Sequence, residues 1–394
     1  MRIRLTFLVA IVLTVLAFPK TGTAQDAPAK VRARQLGVPF DGPPGPLNAI
    51  TDVQGVEVGF TTLTTGNGAL KIGEGPVRTG VTEILPRGKQ SVDPVYAGWF
   101  SLNGNGEMTG TTWVEESGLL AGPVAITNTH SVGTVRDAMI AWGLKHGVAG
   151  DAWSLPVVAE TFDGFLNDIN GFHVKPEHVF SALDSAHGGP VPEGNVGGGT
   201  GMVCYGFKGG TGTSSRLLSK EMGGYTVGVL VQCNCGRRSQ LTIAGVPVGK
   251  EIPDGAPYAQ LTHLPGSEEA GDVGSIIIVI ATDAPLLPHQ LKRLARRATL
   301  GLARTGSTSG NGSGDIFIAF STANPGADKA PGPNTVQTVS TERISPIFNA
   351  VVEATEEAIV NAMVGAETMT GRDGHTVNAL PHDQLQQVLK KYNR

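Results

Sequence analysis

Gly274-Ser275-Ile276-Ile277-Ile278-Val279-Ile280-Ala281-Thr282-Asp283 is an apolar run with a serine at its head and a glycine before the serine. Its length and β-branched content read as one buried strand. The segment just upstream, Gly266-Ser267-Glu268-Glu269-Ala270-Gly271-Asp272, is polar and loop-like. A serine at the first position of a buried strand, after a flexible acidic loop, is the layout of a precursor that cuts itself. Scission between Gly274 and Ser275 would free the α-amine of Ser275, and that amine can act as local base for its own hydroxyl.

Composition bounds the rest. The 394 residues suffice for two modest domains or one large layered one. A net charge of -4 with 16% charged residues offers no basic stripe for nucleic acid. Residues 1–24 read as a secretory signal peptide. Arg2 and Arg4 form the basic end, residues 5–18 the apolar stretch, and Gly22-Thr23-Ala24 the small-residue cleavage site before Gln25. The apolar stretch is short of a membrane span, so the mature protein is expected to be soluble, outside the membrane and periplasmic. The three cysteines, Cys204, Cys233 and Cys235, allow a Cys204 bridge to either of the others without forcing one. They are expected to pack as small hydrophobes, and neither a metal nor a cofactor is expected, since no cluster has metal-ligand spacing.

Strands are expected at 56–60, 80–85, 95–102, 124–127, 157–160, 201–207, 213–218, 225–232, 275–281 and 315–322. Helical periodicity marks 129–144, 175–186, 288–302, 346–365 and 384–392. Strands mixed with a few long helices argue for layered α+β architecture. The proline-rich segment through Pro46 reads as a surface wrap. Lys292, Arg293, Arg296 and Arg297 read as the solvated face of a helix. Gly197-Gly198-Gly199 and Gly209-Gly210 read as turns, and no dinucleotide or phosphate-loop fingerprint is present.

Several patches combine into one pattern. They are Pro156-Val157-Val158-Ala159-Glu160-Thr161, the run from Gly201 to Gly210, Val227-Gly228-Val229-Leu230-Val231-Gln232, Ala281-Thr282-Asp283-Ala284-Pro285-Leu286, Gly312-Ser313-Gly314-Asp315-Ile316 and Thr370-Gly371-Arg372-Asp373-Gly374. In this order, across nearly the whole mature chain, they resemble the DmpA-type peptidases: L-aminopeptidase/D-amidase-esterases and β-peptidyl aminopeptidases. The resemblance implies a four-layer αββα sandwich of the DmpA/ornithine acetyltransferase type, N-terminal-nucleophile-like. It implies an α chain of 25–274 and a β chain of 275–394 that stay associated after self-cleavage at Gly274-Ser275, with tetramers of αβ units. By the same resemblance Ser275 is the nucleophile, Ser313 and Asp315 a relay that orients it, Asn234 the oxyanion donor and Glu160 the carboxylate that captures the substrate amine. Asp315 stands where some relatives carry glutamate. The expected activity is removal of N-terminal residues from short peptides or amides, with β-peptides leading and L-aminopeptidase/D-amidase-esterase activity second. A catalytically silent binding protein on this scaffold would be expected to lack some of these residues, and all are present. The ornithine acetyltransferase group uses a threonine nucleophile where this chain has serine.

Overall fold

The apolar run beginning at Ser275 lies in the interior of a six-stranded sheet. The computed structural model describes residues 30–148, 153–257, 274–326, 328 and 332–394. The expected signal peptide and the acidic loop 266–272 lie outside the described residues. In chain order the first elements are β1 (Glu57–Thr65), β2 (Val77–Leu85), β3 (Val95–Ser101), α1 (Thr111–Ser117), β4 (Leu119–Leu120), β5 (Val124–Asn128), α2 (Val132–His146), β6 (Val157–Thr161) and α3 (Pro176–Ser185). Then come β7 (Val203–Cys204), β8 (Phe207–Lys208), β9 (Gly210–Leu217), β10 (Thr226–Asn234), α4 (Val248–Glu251), β11 (Ser275–Thr282), α5 (Pro288–Arg304) and β12 (Gly314–Ser321). The chain closes with α6 (Ser345–Val364), β13 (Met369–Thr370), β14 (Thr376–Val377) and α7 (His382–Lys391).

Two sheets form the middle of the molecule, in the orders β1-β2-β5-β6 and β4-β3-β12-β11-β10-β9. Strand β11 shows why the sequence run is continuous rather than alternating. Ile277, Val279 and Ala281 face the first sheet, against Ile84, Ile126 and Ala159. Ile276, Ile278 and Ile280 face α5 and α6, against Leu291, Leu294 and Ile359. A strand buried on both faces has no solvent side to make polar. On the far face of the first sheet, α2 and α3 bring Val135, Met139, Val179 and Leu183 onto Val81, Ala125 and Val158. The layers are therefore α, β, β, α, as the resemblance implied. β11 runs parallel to β12, with α5 between them in sequence, and β5 runs parallel to β6 across α2.

Two readings need correction. Residues 201–207 do not form one strand: a 3-10 turn at Gly197–Gly201 is followed by the two-residue strands β7 and β8 around Tyr205, whose φ is 51°. A single extended strand cannot hold that left-handed residue. The N-terminal segment does more than wrap the surface. Ala33 and Val38 are in the core, and Arg34 reaches the buried Glu357 at 2.8 Å, where Arg216 also binds at 2.9 Å. Two guanidiniums on one buried carboxylate keep its charge compensated away from water. The basic face of α5 lies at the surface, as expected: Arg296 is exposed and Lys292, Arg293 and Arg297 are half-buried. The Arg293 and Arg297 guanidiniums lie 5.1 and 4.0 Å from the Phe348 ring, Arg296 lies 5.4 Å from Phe100, and Lys292 pairs with Glu115.

Candidate active site

Ser275 is the first residue of β11, and both neighbouring strands meet it in register. Asn234, the last residue of β10, is its antiparallel partner, and Gly314, the first of β12, its parallel partner. Ser275, Asn234, Ser313, Asp315 and Glu160 are all buried. The glycine before Ser275 is demanded by space. A Cβ at Gly274 would lie 2.6 Å from Asn234 O and 2.8 Å from Cys235 Cα, too close for any side chain. The Gly274 carbonyl accepts from Gly314 N–H at 3.2 Å.

Ser313 and Asp315 share a face, as their spacing of two predicts. Ser313 Oγ donates to Asp315 Oδ1 at 2.7 Å, and the same oxygen accepts from Ile276 N–H at 3.2 Å, one residue beyond Ser275. The shorter aspartate arm therefore still reaches both the serine and β11. Asn103, which sequence reading did not single out, anchors the pair. Its Oδ1 accepts from Asp315 N–H at 2.6 Å, and its Nδ2 donates to Ser309 O at 3.2 Å and Gly310 O at 3.3 Å. In the sequence it sits in Asn103-Gly104-Asn105-Gly106, indistinguishable from any turn.

Asn234 is locked by two hydrogen bonds. Its Oδ1 accepts from Val203 N–H at 2.8 Å, and its Nδ2 donates to Phe162 O at 3.0 Å. An amide nitrogen carries two hydrogens, so a second remains to meet developing negative charge. The structure also decides the cysteine pairing left open by sequence. Cys204 and Cys233 form a disulfide, and Cys235 Sγ lies 3.9 Å from Cys233 Sγ. The three sulfurs lie within 4.8 Å of one another, the one metal-capable grouping among the described residues. With two of them spent on the bond, they cannot serve as three thiolate ligands.

Glu160 lies near the end of β6. Its Oε1 accepts from Glu107 N–H at 3.0 Å and its Oε2 from Thr129 Oγ1. Burial pushes its carboxyl up, partly opposed by those two hydrogen bonds and by nearby His130. Phe162 and Phe172 are exposed nearby in sequence, and Phe172 stacks on His130 with ring centres 6.1 Å apart. Asp163, fully buried and bonded to Asn167, is pushed by burial to about 7. A cavity of about 430 Å³, lined by Trp113, Trp142, Trp153 and Arg87, opens elsewhere. It reaches Val157, three strand residues or about 10 Å before Glu160, and none of the five candidate residues lines it.

Comparison with known proteins gives a consistent result. The profile of Peptidase family S58 matches residues 48–377. A β-peptidyl aminopeptidase of Sphingosinicella microcystinivorans is 57% identical over 368 residues, covering 92% of this chain and 93% of the relative. A β-peptidyl aminopeptidase of Sphingosinicella xenopeptidilytica is 53% identical over 365 residues, covering 91% of each. Among solved structures, the L-aminopeptidase D-Ala-esterase/amidase of Ochrobactrum anthropi superposes with a TM-score of 0.84 at 51% identity. That superposition covers 92% of this chain and 99% of the other, which is described as a serine aminopeptidase with a variant of the Ntn hydrolase fold.

Proposed function

The chain belongs to peptidase family S58, and from that premise we propose that it frees Ser275 by self-cleavage and uses it to remove N-terminal residues from β-peptides. It is an aminopeptidase, a peptide-bond hydrolase of the Ntn serine type. The observation that carries the assignment of roles is the register at the head of β11, where Asn234, Ser275 and Gly314 sit side by side with the Ser313–Asp315 pair behind them.

The steps follow from chemistry. Ser275 Oγ attacks the carbonyl of the N-terminal residue while its own α-amine takes the hydroxyl proton. An α-amine has an intrinsic pKa of about 7.7–8.0, suited to a base near neutral pH. Asn234 Nδ2–H donates to the tetrahedral oxyanion. The C–N bond then breaks, the leaving amine takes the proton back, and water hydrolyses the acyl ester by the same route. Ser313 and Asp315 hold the main chain around the new amine. Glu160 captures the substrate ammonium, which supplies the partner a buried carboxylate needs.

Glu160→Gln should raise KM for free-amine substrates and leave self-cleavage intact, because processing involves no substrate amine. Burial raises the Glu160 carboxyl, so amine capture should fade as pH falls through a value above the ordinary carboxylate range. The check is KM against pH for an alanyl amide and its N-acetyl counterpart. Equal constants in wild type and Glu160→Gln for both compounds would remove the role.

The β-peptide preference is supported by the two β-peptidyl relatives, and the L- and D-specific neighbour supports the second reading. Matched β-alanyl, L-alanyl and D-alanyl amides decide between them: faster turnover of either α-alanyl amide would overturn β-peptide preference. We also propose that the α and β chains stay associated and assemble as tetramers of αβ units, and that residues 1–24 direct export to the periplasm. Sedimentation of the processed protein and N-terminal sequencing of the exported α chain test these points. Activity should survive EDTA, and Cys235→Ala should keep kcat, since the mechanism uses neither a metal nor a thiol. A loss in Cys235→Ala beyond about a hundredfold, the scale of a lost oxyanion donor, with processing intact would mean that the sulfur takes part.

A further inference from the structure

One loop touches both halves of the site. Between β3 and α1 it crosses from the head of β12 to the end of β6. Asn103 holds Asp315, and Asn105 donates through its N–H to Ser313 O at 3.3 Å and through Nδ2 to Gly312 O at 2.9 Å. Glu107 N–H bonds Glu160 Oε1, and Thr109 N–H bonds Val158 O at 2.9 Å. Gly106 sits at the middle of this bridge. A Cβ there would lie 3.0 Å from Gly314 Cα and 3.3 Å from both Gly314 O and Glu160 Oε1. The missing side chain lets the Glu160 carboxylate come close to the residue that pairs with Ser275.

We propose that Gly106 is a specificity-determining spacer. By its small size it fixes the gap between Glu160 and the nucleophile, and so sets the length of N-terminal residue the enzyme accepts. This rests on the amine-reading role of Glu160. A β-amino acid carries its amine one backbone carbon farther from the scissile carbonyl, about 1.5 Å for one C–C bond. The carbonyl is held at Ser275 Oγ and the ammonium at Glu160, so a rigid gap discriminates between the two lengths. A misplacement of about 1 Å can cost about a hundredfold in rate. A Cβ at position 106 displaces Glu160 or Gly314 by a few tenths of an ångström. On this proposal the displacement lengthens the gap and favours the longer residue.

The experiment compares kcat/KM for β-alanyl and L-alanyl amides in wild type and Gly106→Ala, with processing followed on a denaturing gel and folding by thermal melt. The β-to-L ratio should rise about threefold or more, a fraction of the cost of a 1 Å error. A ratio that is unchanged or falls in a processed, folded variant overturns the proposal. Should Gly106→Ala fail to fold or process, Glu160→Asp decides. It withdraws the carboxylate by one methylene and gives up the Glu107 N–H bond, but adds no side chain at position 106, and its ratio must also rise; an unchanged or lower ratio there overturns the spacer. Glu160→Gln separates the two ideas. If it treats free-amine and N-acetyl amides as wild type does, the amine-reading role fails. If it loses the free-amine preference while the spacing variants leave the ratio untouched, only the spacer fails.

Discussion

Ser275→Ala should yield a single uncut chain with no measurable aminopeptidase activity. Attack by Ser275 Oγ is required twice, once on the Gly274 carbonyl to free the α-amine and once on each substrate. Without the hydroxyl neither event has a nucleophile. The fold should survive, because the change removes one oxygen from the end of a strand whose other residues supply the packing. Wild type should give two bands on a denaturing gel, the smaller holding 394 − 274 = 120 residues. N-terminal sequencing of that band checks the assignment, and a start anywhere but Ser275 would sink it. A two-band pattern in Ser275→Ala would be equally damaging.

Asn234→Asp should lower kcat by about 10²–10³, the loss of one oxyanion donor worth about 2.7–4 kcal/mol. The substitution keeps the acceptor that Val203 N–H needs. It replaces the donating nitrogen with an oxygen, which also faces Phe162 O without a hydrogen between them. Processing should suffer less than turnover. The Gly274 carbonyl, the group attacked during self-cleavage, already accepts from Gly314 N–H at 3.2 Å, a donor the mutation leaves in place. Burst kinetics on an alanyl amide beside a time course of chain cleavage measures both. A kcat within about tenfold of wild type would remove Asn234 from the oxyanion role, since a tenfold change is only about 1.4 kcal/mol.

The sequence by itself determined the buried strand, the long helices and the shared face of Ser313 and Asp315, while the four layers entered through the resemblance. Ile276 to Ala281 are apolar on both parities, so the run reads as a strand covered on both faces; what covers them, a second sheet on one side and helices on the other, is seen in the structure. The helix at α6 was legible because its apolar residues recur at helical spacing. Ser313 and Asp315 were placed on one face by a spacing of two, since the strand period is local and needs no distant partner. Tertiary structure decided what depends on contacts between remote segments. Cys204 could have bridged either Cys233 or Cys235, and only the approach of β7 to β10 selects Cys233. Asn103, Gly106 and Glu107 look like any Asn/Gly turn until the loop is laid across Gly314 and Glu160, some 200 and 50 residues away. Arg34 and Arg216 look like surface cations until both meet the buried Glu357. Periodicity and turn chemistry act between near neighbours in the chain, whereas the bonds that hold this site are made where the two sheets and one loop converge.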